Sequence, residues 1–216
     1  LSPPTAMSHD TLTPTSVFLV AGLGNPGPRY DGTRHNVGFR VVDRLAQRFS
    51  IPMQERKFPA HWGEGRIGSR KVVLVKPMTY MNRSGEAVGP ILRYYRLPPE
   101  ALLVVHDDLD LPLGRIRIAR RGGTGGHRGV ASIIQALGGG EFARLKLGIG
   151  RPRHREPVET FVLDGFYSDE LEAAEEMVDR AAAAAVAVLE EGLEAAMNRF
   201  NQRPKSIHGQ ADQPGD

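Results

Sequence analysis

The apolar run Val17-Phe18-Leu19-Val20-Ala21 empties into Gly22-Leu23-Gly24-Asn25-Pro26-Gly27-Pro28-Arg29-Tyr30-Asp31-Gly32-Thr33-Arg34-His35-Asn36. A strand that ends in glycines, prolines and polar side chains delivers those groups to the carboxyl edge of a sheet, where open α/β folds keep their sites. His35 is the candidate for proton transfer, because imidazole titrates near neutral pH. Three more polar clusters occur: Lys76-Pro77-Met78-Thr79-Tyr80-Met81-Asn82, His106-Asp107-Asp108-Leu109-Asp110, and Gly122-Gly123-Thr124-Gly125-Gly126-His127-Arg128-Gly129. A carboxylate near His35 would fix its tautomer and favour the imidazolium as it forms. The amides of Asn25 and Asn82 could donate to a developing oxyanion. The chain has no cysteine and no G-x-S-x-G elbow. Direct attack by water, with a histidine as general base, is therefore the economical chemistry.

Two other readings of these residues compete. Gly22-Leu23-Gly24-Asn25-Pro26-Gly27 spells the dinucleotide fingerprint G-x-G-x-x-G. That fingerprint needs a helix opening inside the glycines to receive a pyrophosphate, yet Pro26 and Pro28 bias the residues before them away from helix. Helical periodicity starts only near Gly38, with Val41, Val42, Leu45, Ala46 and Phe49 on one face. Asp43 then falls in mid-helix, away from the strand end where a ribose-binding carboxylate belongs. No nucleotide cofactor is expected. The acidic run at 106–110 reads alternatively as a solvated turn or a magnesium site, but it lacks the glycine and terminal Glu of a calcium loop and no H-E-x-x-H occurs. No metal is expected either.

The elements that must hold these clusters alternate in type, as in a layered α/β domain. Strands are predicted at 17–21, 62–67, 71–75, 102–106, 115–120, 145–149 and 160–163. A helix showing Val88, Ile91, Leu92 and Tyr95 at helical spacing could be capped by Asn82 or Ser84. Val130, Ile133, Ile134 and Leu137 form a short helical face, and an Ala/Glu-rich stretch runs from Ser168 to about Asn201 with Gly192 as a break. The 216 residues, 40% hydrophobic and 25% charged, suit a single domain with a proper core. Zero cysteines fits a reducing cytosol. No apolar run approaches the roughly 20 residues that span a bilayer. Residues 1–16 are Ser/Thr/Pro-rich with neither charged nor apolar signal-peptide regions, and Met7 inside them points to a misassigned start or a cloning remnant. Residues 1–16 and 202–216 are predicted to be disordered tails around a domain at 17–201.

Taken together, the four clusters resemble bacterial-type peptidyl-tRNA hydrolases. G-L-x-N-P-G-x-x-Y-x-x-T-R-H-N, the M-N after K-P-x-x-Y, H-D-D-L-D and G-G-H-x-G stand in family order. The resemblance implies a single three-layer αβα sandwich on a twisted, mostly parallel mixed sheet. It implies a monomeric, cytoplasmic, metal-independent esterase that cuts the ester between a peptide and the 3′-terminal ribose of tRNA. By that resemblance His35 is catalytic, Asp107 stabilises its working form, and Asn25 tells a blocked from a free aminoacyl group. Tyr30, Tyr80, Met81, Asn82, His127 and Arg128 match substrate-binding positions, although Tyr80 and Met81 alone would read as core filler. Lys146 with Arg117 or Arg120 is expected to clamp a tRNA phosphate.

Basic side chains crowd around the fourth cluster: Arg115, Arg117, Arg120, Arg121, Arg128, Arg144 and Lys146. With the glycine N–H groups before a helix start they suggest an RNA-facing surface and an anion nest, against a generic basic face. One residue departs from the family pattern, which has Asn where this chain has Arg128. Arg only donates and carries a fixed charge. The departure raises a second reading, an RNA-binding protein on the same fold with weakened hydrolysis. Arg128 is expected to turn outward, toward a phosphate or a carboxylate such as Asp108.

Overall fold

The computed structural model describes residues 17–202; both sequence tails predicted to be disordered lie outside them, apart from Gln202. Six strands form one mixed sheet: β1 (Phe18–Gly22), β2 (Ala60–Ile67), β3 (Arg70–Pro77), β4 (Leu102–Asp108), β5 (Ile116–Ala119) and β6 (Ala143–Gly148). Their spatial order is β2-β3-β1-β4-β6-β5. The inner four, β3, β1, β4 and β6, are parallel, while β2 and β5 pair antiparallel at the two edges.

The helices are α1 (Val37–Arg48), α2 (Ser84–Tyr95), α3 (Arg128–Leu137), α4 (Val158–Leu163), α5 (Leu171–Glu190) and α6 (Leu193–Phe200). Alternate strand residues point to opposite faces, and each face has its own core. Val20, Leu74, Leu103, Val105 and Leu145 pack with Val41 and Leu45 of α1 and Met177, Ala181 and Val188 of α5. Leu19, Ala21, Val73 and Val104 pack with Val88 and Ile91 of α2 and Val130 and Ile133 of α3. Covering both faces explains why β1 is apolar at every position instead of alternating. The three-layer sandwich and its mixed sheet are as expected from the sequence.

Two local expectations fail for identifiable reasons, and a third, the helix break at Gly192, is met. Residues 160–163 form no strand; they belong to α4, which starts after Pro157 and sets Phe161 against Arg34. A short apolar run does not reveal its period, and neither sheet edge receives it. Neither Asn82 nor Ser84 caps α2: the chain enters it through a 3₁₀ turn at Met81–Arg83, and the Ser84 hydroxyl donates back to the Met81 carbonyl. Gly192 is the break between α5 and α6, at a φ of 90° that favours glycine.

The glycines of the first cluster serve packing. α1 begins at Val37, well after Gly22–Gly27, so no helix opens within the fingerprint. A Cβ on Gly38 would lie 2.4 Å from both the Leu23 amide nitrogen and the Val105 carbonyl oxygen. The start of α1 thus sits directly against the ends of β1 and β4, which is what brings residue 35 to the sheet edge. Gly38→Ala forces backbone apart, and overpacking of this kind costs about 1–3 kcal/mol. Urea denaturation of this variant should show a loss of at least that size with an unchanged m-value.

Candidate active site

The carboxyl ends of β1, β3 and β4 and the start of α3 meet around a cavity of about 500 Å³. Asn25, His35, Tyr80, Met81, Asn82, Asp107, His127, Arg128 and Lys146 all line it. Eight residues singled out from the sequence are brought together in one feature that no single segment forms alone, and Lys146 joins them from β6.

At its centre, one oxygen of Asp107 takes two imidazoles. Asp107 Oδ1 lies 2.8 Å from His35 Nδ1 and 2.9 Å from His127 Nε2. The carboxylate is buried; burial pushes its pKa up, but the imidazoles of His127 and His35 bound to it outweigh that and hold it well below the usual carboxylate range. An ionised Asp107 can only accept, so both rings must present an N–H to it. His35 is thereby held with its proton on Nδ1, which leaves the Nε2 lone pair free, with no protein partner among the described residues. This is the form of imidazole that can take a proton from water.

His127 is fixed from both sides. Its Nδ1 accepts from the Gly129 and Val130 amides, at 3.1 and 3.3 Å, as the N-cap of α3. The ring is therefore neutral, with its proton on Nε2. One sequence expectation changes in consequence. The Gly129 and Val130 amides of α3 are spent on His127, and the Gly126 amide is taken by Thr124 Oγ1, so these three donors are closed to an anion. The same protonation bears on metal binding: His35 Nδ1, Asp107 Oδ1 and His127 Nε2 lie within 4.8 Å of one another, a spacing a small cation could bridge. A cation on His127 Nε2 would require an imidazolate, because Nδ1 is an acceptor here. These three residues do not fit a metal.

Asn25 is set by a different network. Its backbone N–H donates to Asn36 Oδ1 (2.9 Å), Asn36 Nδ2 donates to the Asn25 carbonyl (3.0 Å), and Asn25 Oδ1 accepts the Met81 amide (2.8 Å). With Oδ1 used, the amide's NH₂ is what remains for a ligand. Met81 is buried and Tyr80 exposed, so of the two only Met81 acts as core filler. Tyr30 does not line the cavity; it sits half-buried in the 3₁₀ turn Pro28–Tyr30, with the Arg29 guanidinium over its ring.

Arg34, next to His35, escaped the sequence reading. It is fully buried, pairs with Glu170 at 3.0 Å, donates to the Phe161 and Gly165 carbonyls, and stacks on Phe161 and Tyr167. The T-R-H-N spacing was the only signal available for it. Through Arg34 the cavity wall made by α4 (Val158, Glu159, Val162, Leu163) is tied to the turn carrying His35.

The basic residues separate into different roles. Arg144 is buried and donates to the carbonyls of Gly122, Gly140 and Phe142, so it braces the glycine loop and does not face RNA. Arg120 pairs with Glu194 and Arg121 with Glu141. Lys146 pairs with Asp108 at 2.9 Å, so Asp108 is not the partner of Arg128; Arg128 is exposed and has no charged partner among the described residues. Arg117 is exposed and stands opposite Lys146 in the β5–β6 register. Asp110 pairs with Arg151, so the three carboxylates of the 106–110 run diverge to separate partners and do not form one cation site.

The sequence matches the family profile described as peptidyl-tRNA hydrolase over residues 19–208. Its identity to the peptidyl-tRNA hydrolase of Shouchella clausii is 50% over 183 residues, covering 85% of this chain and 99% of that protein. The chain belongs to the peptidyl-tRNA hydrolase family. The peptidyl-tRNA hydrolase of Bacillus subtilis is 46% identical over 87% of this chain and the whole of that protein. The crystal structure of the Acinetobacter baumannii peptidyl-tRNA hydrolase superposes with a TM-score of 0.81 at 40% identity, over 86% of this chain and 94% of that one.

His106 also lines the cavity of this hydrolase-family fold. It is buried, its Nδ1–H donates to the Asp107 carbonyl at 2.7 Å, and its ring meets that of His127 edge-on at 4.7 Å. Its Nε2 is buried with no partner among the described residues. Burial, then the neighbouring His127, lowers its pKa to about 3. The unfolded chain binds a proton at this histidine below about pH 6.5 while the folded chain does not. His106 therefore contributes stability that is full above that pH and is lost as pH falls toward 3. In urea titrations, His106→Gln should flatten the pH dependence of unfolding free energy between about pH 6.5 and 4, by up to about 1.4 kcal/mol per pH unit.

Proposed function

We infer that this chain hydrolyses the ester joining a peptide to the 3′-terminal ribose of tRNA, with His35 as general base. The observation that carries the reading is the hydrogen bond from His35 to a buried, ionised Asp107, with Nε2 left free at the cavity. As water attacks the ester carbonyl, His35 Nε2 takes its proton and the hydroxyl oxygen bonds to the acyl carbon. The imidazolium is stabilised by Asp107 and returns the proton to the departing ribose oxygen, giving free tRNA and a peptide carboxylate. The NH₂ of Asn25 is available to donate to the carbonyl of the substrate's blocking amide or to the oxyanion. Asn82, Tyr80, Met81 and His127 surround the same space and are assigned to substrate binding, as is Tyr30 from outside it. The protonation state of His127 supports chemistry without a metal. Arg128 leaves the His35–Asp107–His127 network intact, and nothing in the geometry favours a protein that binds RNA without cleaving it.

Exposed Arg117, opposite Lys146 in the β5–β6 register, supports these two as the phosphate clamp. Unpaired and exposed, Arg128 is suited to a further phosphate. We assign the chain as a monomer acting in the cytoplasm on tRNA without cofactor. Among the described residues no helix is long and apolar enough to cross a membrane.

Removing the base tests the reaction. His35→Ala should lower kcat on an N-acylated aminoacyl-tRNA by about 100-fold or more while KM changes little, and Asp107→Asn should fall between it and the parent. Turnover close to the parent's in the His35 variant would refute this mechanism. The clamp is tested separately by salt. Each phosphate contact adds close to one unit to the slope of log K against log salt, so Lys146→Ala should raise KM and reduce that slope by about one, with kcat retained.

A further inference from the structure

Five large hydrophobic side chains stand exposed among the described residues, and three of them, Tyr80, Val158 and Leu163, line the cavity. Val158 and Leu163 belong to α4; Val162 of the same helix and Leu109 join them in the lining. None of these four aliphatic side chains can form a hydrogen bond. The wall is also held in place. Arg34 grips the Phe161 and Gly165 carbonyls, and the Thr33–Gly165 bridge closes beside it, so α4 is tied to the turn that carries His35. A helix of six residues, anchored to the catalytic turn by a buried guanidinium, keeps an open aliphatic surface at a set place relative to the general base.

We propose that α4 and Leu109 form the subsite for the side chain of the amino acid esterified to tRNA, and that this subsite favours apolar side chains. The proposal rests on the cavity being the ester site. In such an ester the side chain leaves the carbon next to the reacting carbonyl, so a carbonyl within reach of His35 and Asn25 places it in the same cavity. The terminal adenine is the other group that must be accommodated. Its ring nitrogens and amine would go unpaired against Leu109, Val158, Val162 and Leu163, whereas the exposed Tyr80 ring offers a base a stacking face. Glu159, which follows Val158 and also lines the cavity, works against acidic side chains.

The test uses one tRNA body charged with N-acetyl-glycine, N-acetyl-leucine or N-acetyl-aspartate, and compares kcat/KM. A closed apolar pocket discriminates a methylene by about 10–200-fold, and an open wall by less, so leucine should exceed glycine by about 5- to 10-fold, with aspartate lowest. In the double variant Val158→Ser/Leu163→Ser, at two exposed positions, the leucine-to-glycine ratio should fall to about 1–2. Val162→Thr, which keeps the volume and adds a hydroxyl, should lower the ratio in the same direction. A flat profile in the parent chain overturns the proposal. So does a double variant that loses the same factor on every ester, which would give the wall to the adenosine common to all of them. Cleavage of the N-acetyl-glycyl ester by the parent reports on the ester-site reading by itself, so a failure there is distinct from a failure of the side-chain preference.

Discussion

The site is organised by one buried negative charge. Asp107 is removed from water at the end of β4, and a buried carboxylate is tolerable only when its lone pairs are met by donors. Two imidazoles meet them at a single oxygen. Each ring pays for the charge with a proton, and the position of each proton follows. His35 is left basic on the side facing the cavity, and His127 is left neutral because its other nitrogen caps α3. Protonation states that look like choices are consequences of where the backbone amides point.

Around this centre the fold supplies two rigid attachments. Gly22 and Gly38 let the start of α1 touch the ends of β1 and β4, which fixes the turn bearing His35 relative to the strand bearing Asp107. Arg34 does the corresponding work outward, fastening α4 and the residues after it to that same turn through three carbonyls, a carboxylate and three aromatic rings. Removing one partner from a buried ion pair of this kind typically costs about 3–5 kcal/mol. Arg34 is therefore structural for the wall of the cavity, while its neighbour His35 faces the cavity itself.

Much of this was legible before the structure. Apolar runs bounded by glycine and proline marked the inner strands, since strands covered on both faces are apolar throughout. The 3.6-residue period marked α1, α2 and α3, and an Ala/Glu-rich composition marked α5 and α6. The polar clusters at strand ends pointed to the site because loops at the carboxyl edge of a parallel sheet converge there. What failed was short or context-dependent. Residues 160–163 have too few positions to show a period, and their helix is decided by Pro157 and by the packing of Phe161 on Arg34. The density of Arg around the glycine loop could not separate Arg144, buried under three carbonyls, from Arg117, which is open to solvent.

By itself the sequence determined the layered α/β class, the order of its elements, and which residue types were present to do acid–base chemistry without a thiol or hydroxyl nucleophile. These follow from local periodicity and composition, which need no knowledge of distant neighbours. The pairing of His35 with Asp107, 72 positions away, is of another kind. The sharing of that carboxylate with His127, the spending of the α3 amides on an imidazole, and the sorting of cations into braced and open ones were decided by tertiary structure alone. Each is a competition among donors and acceptors from separate segments for a few buried positions, and its outcome exists only once the sheet has brought those segments together.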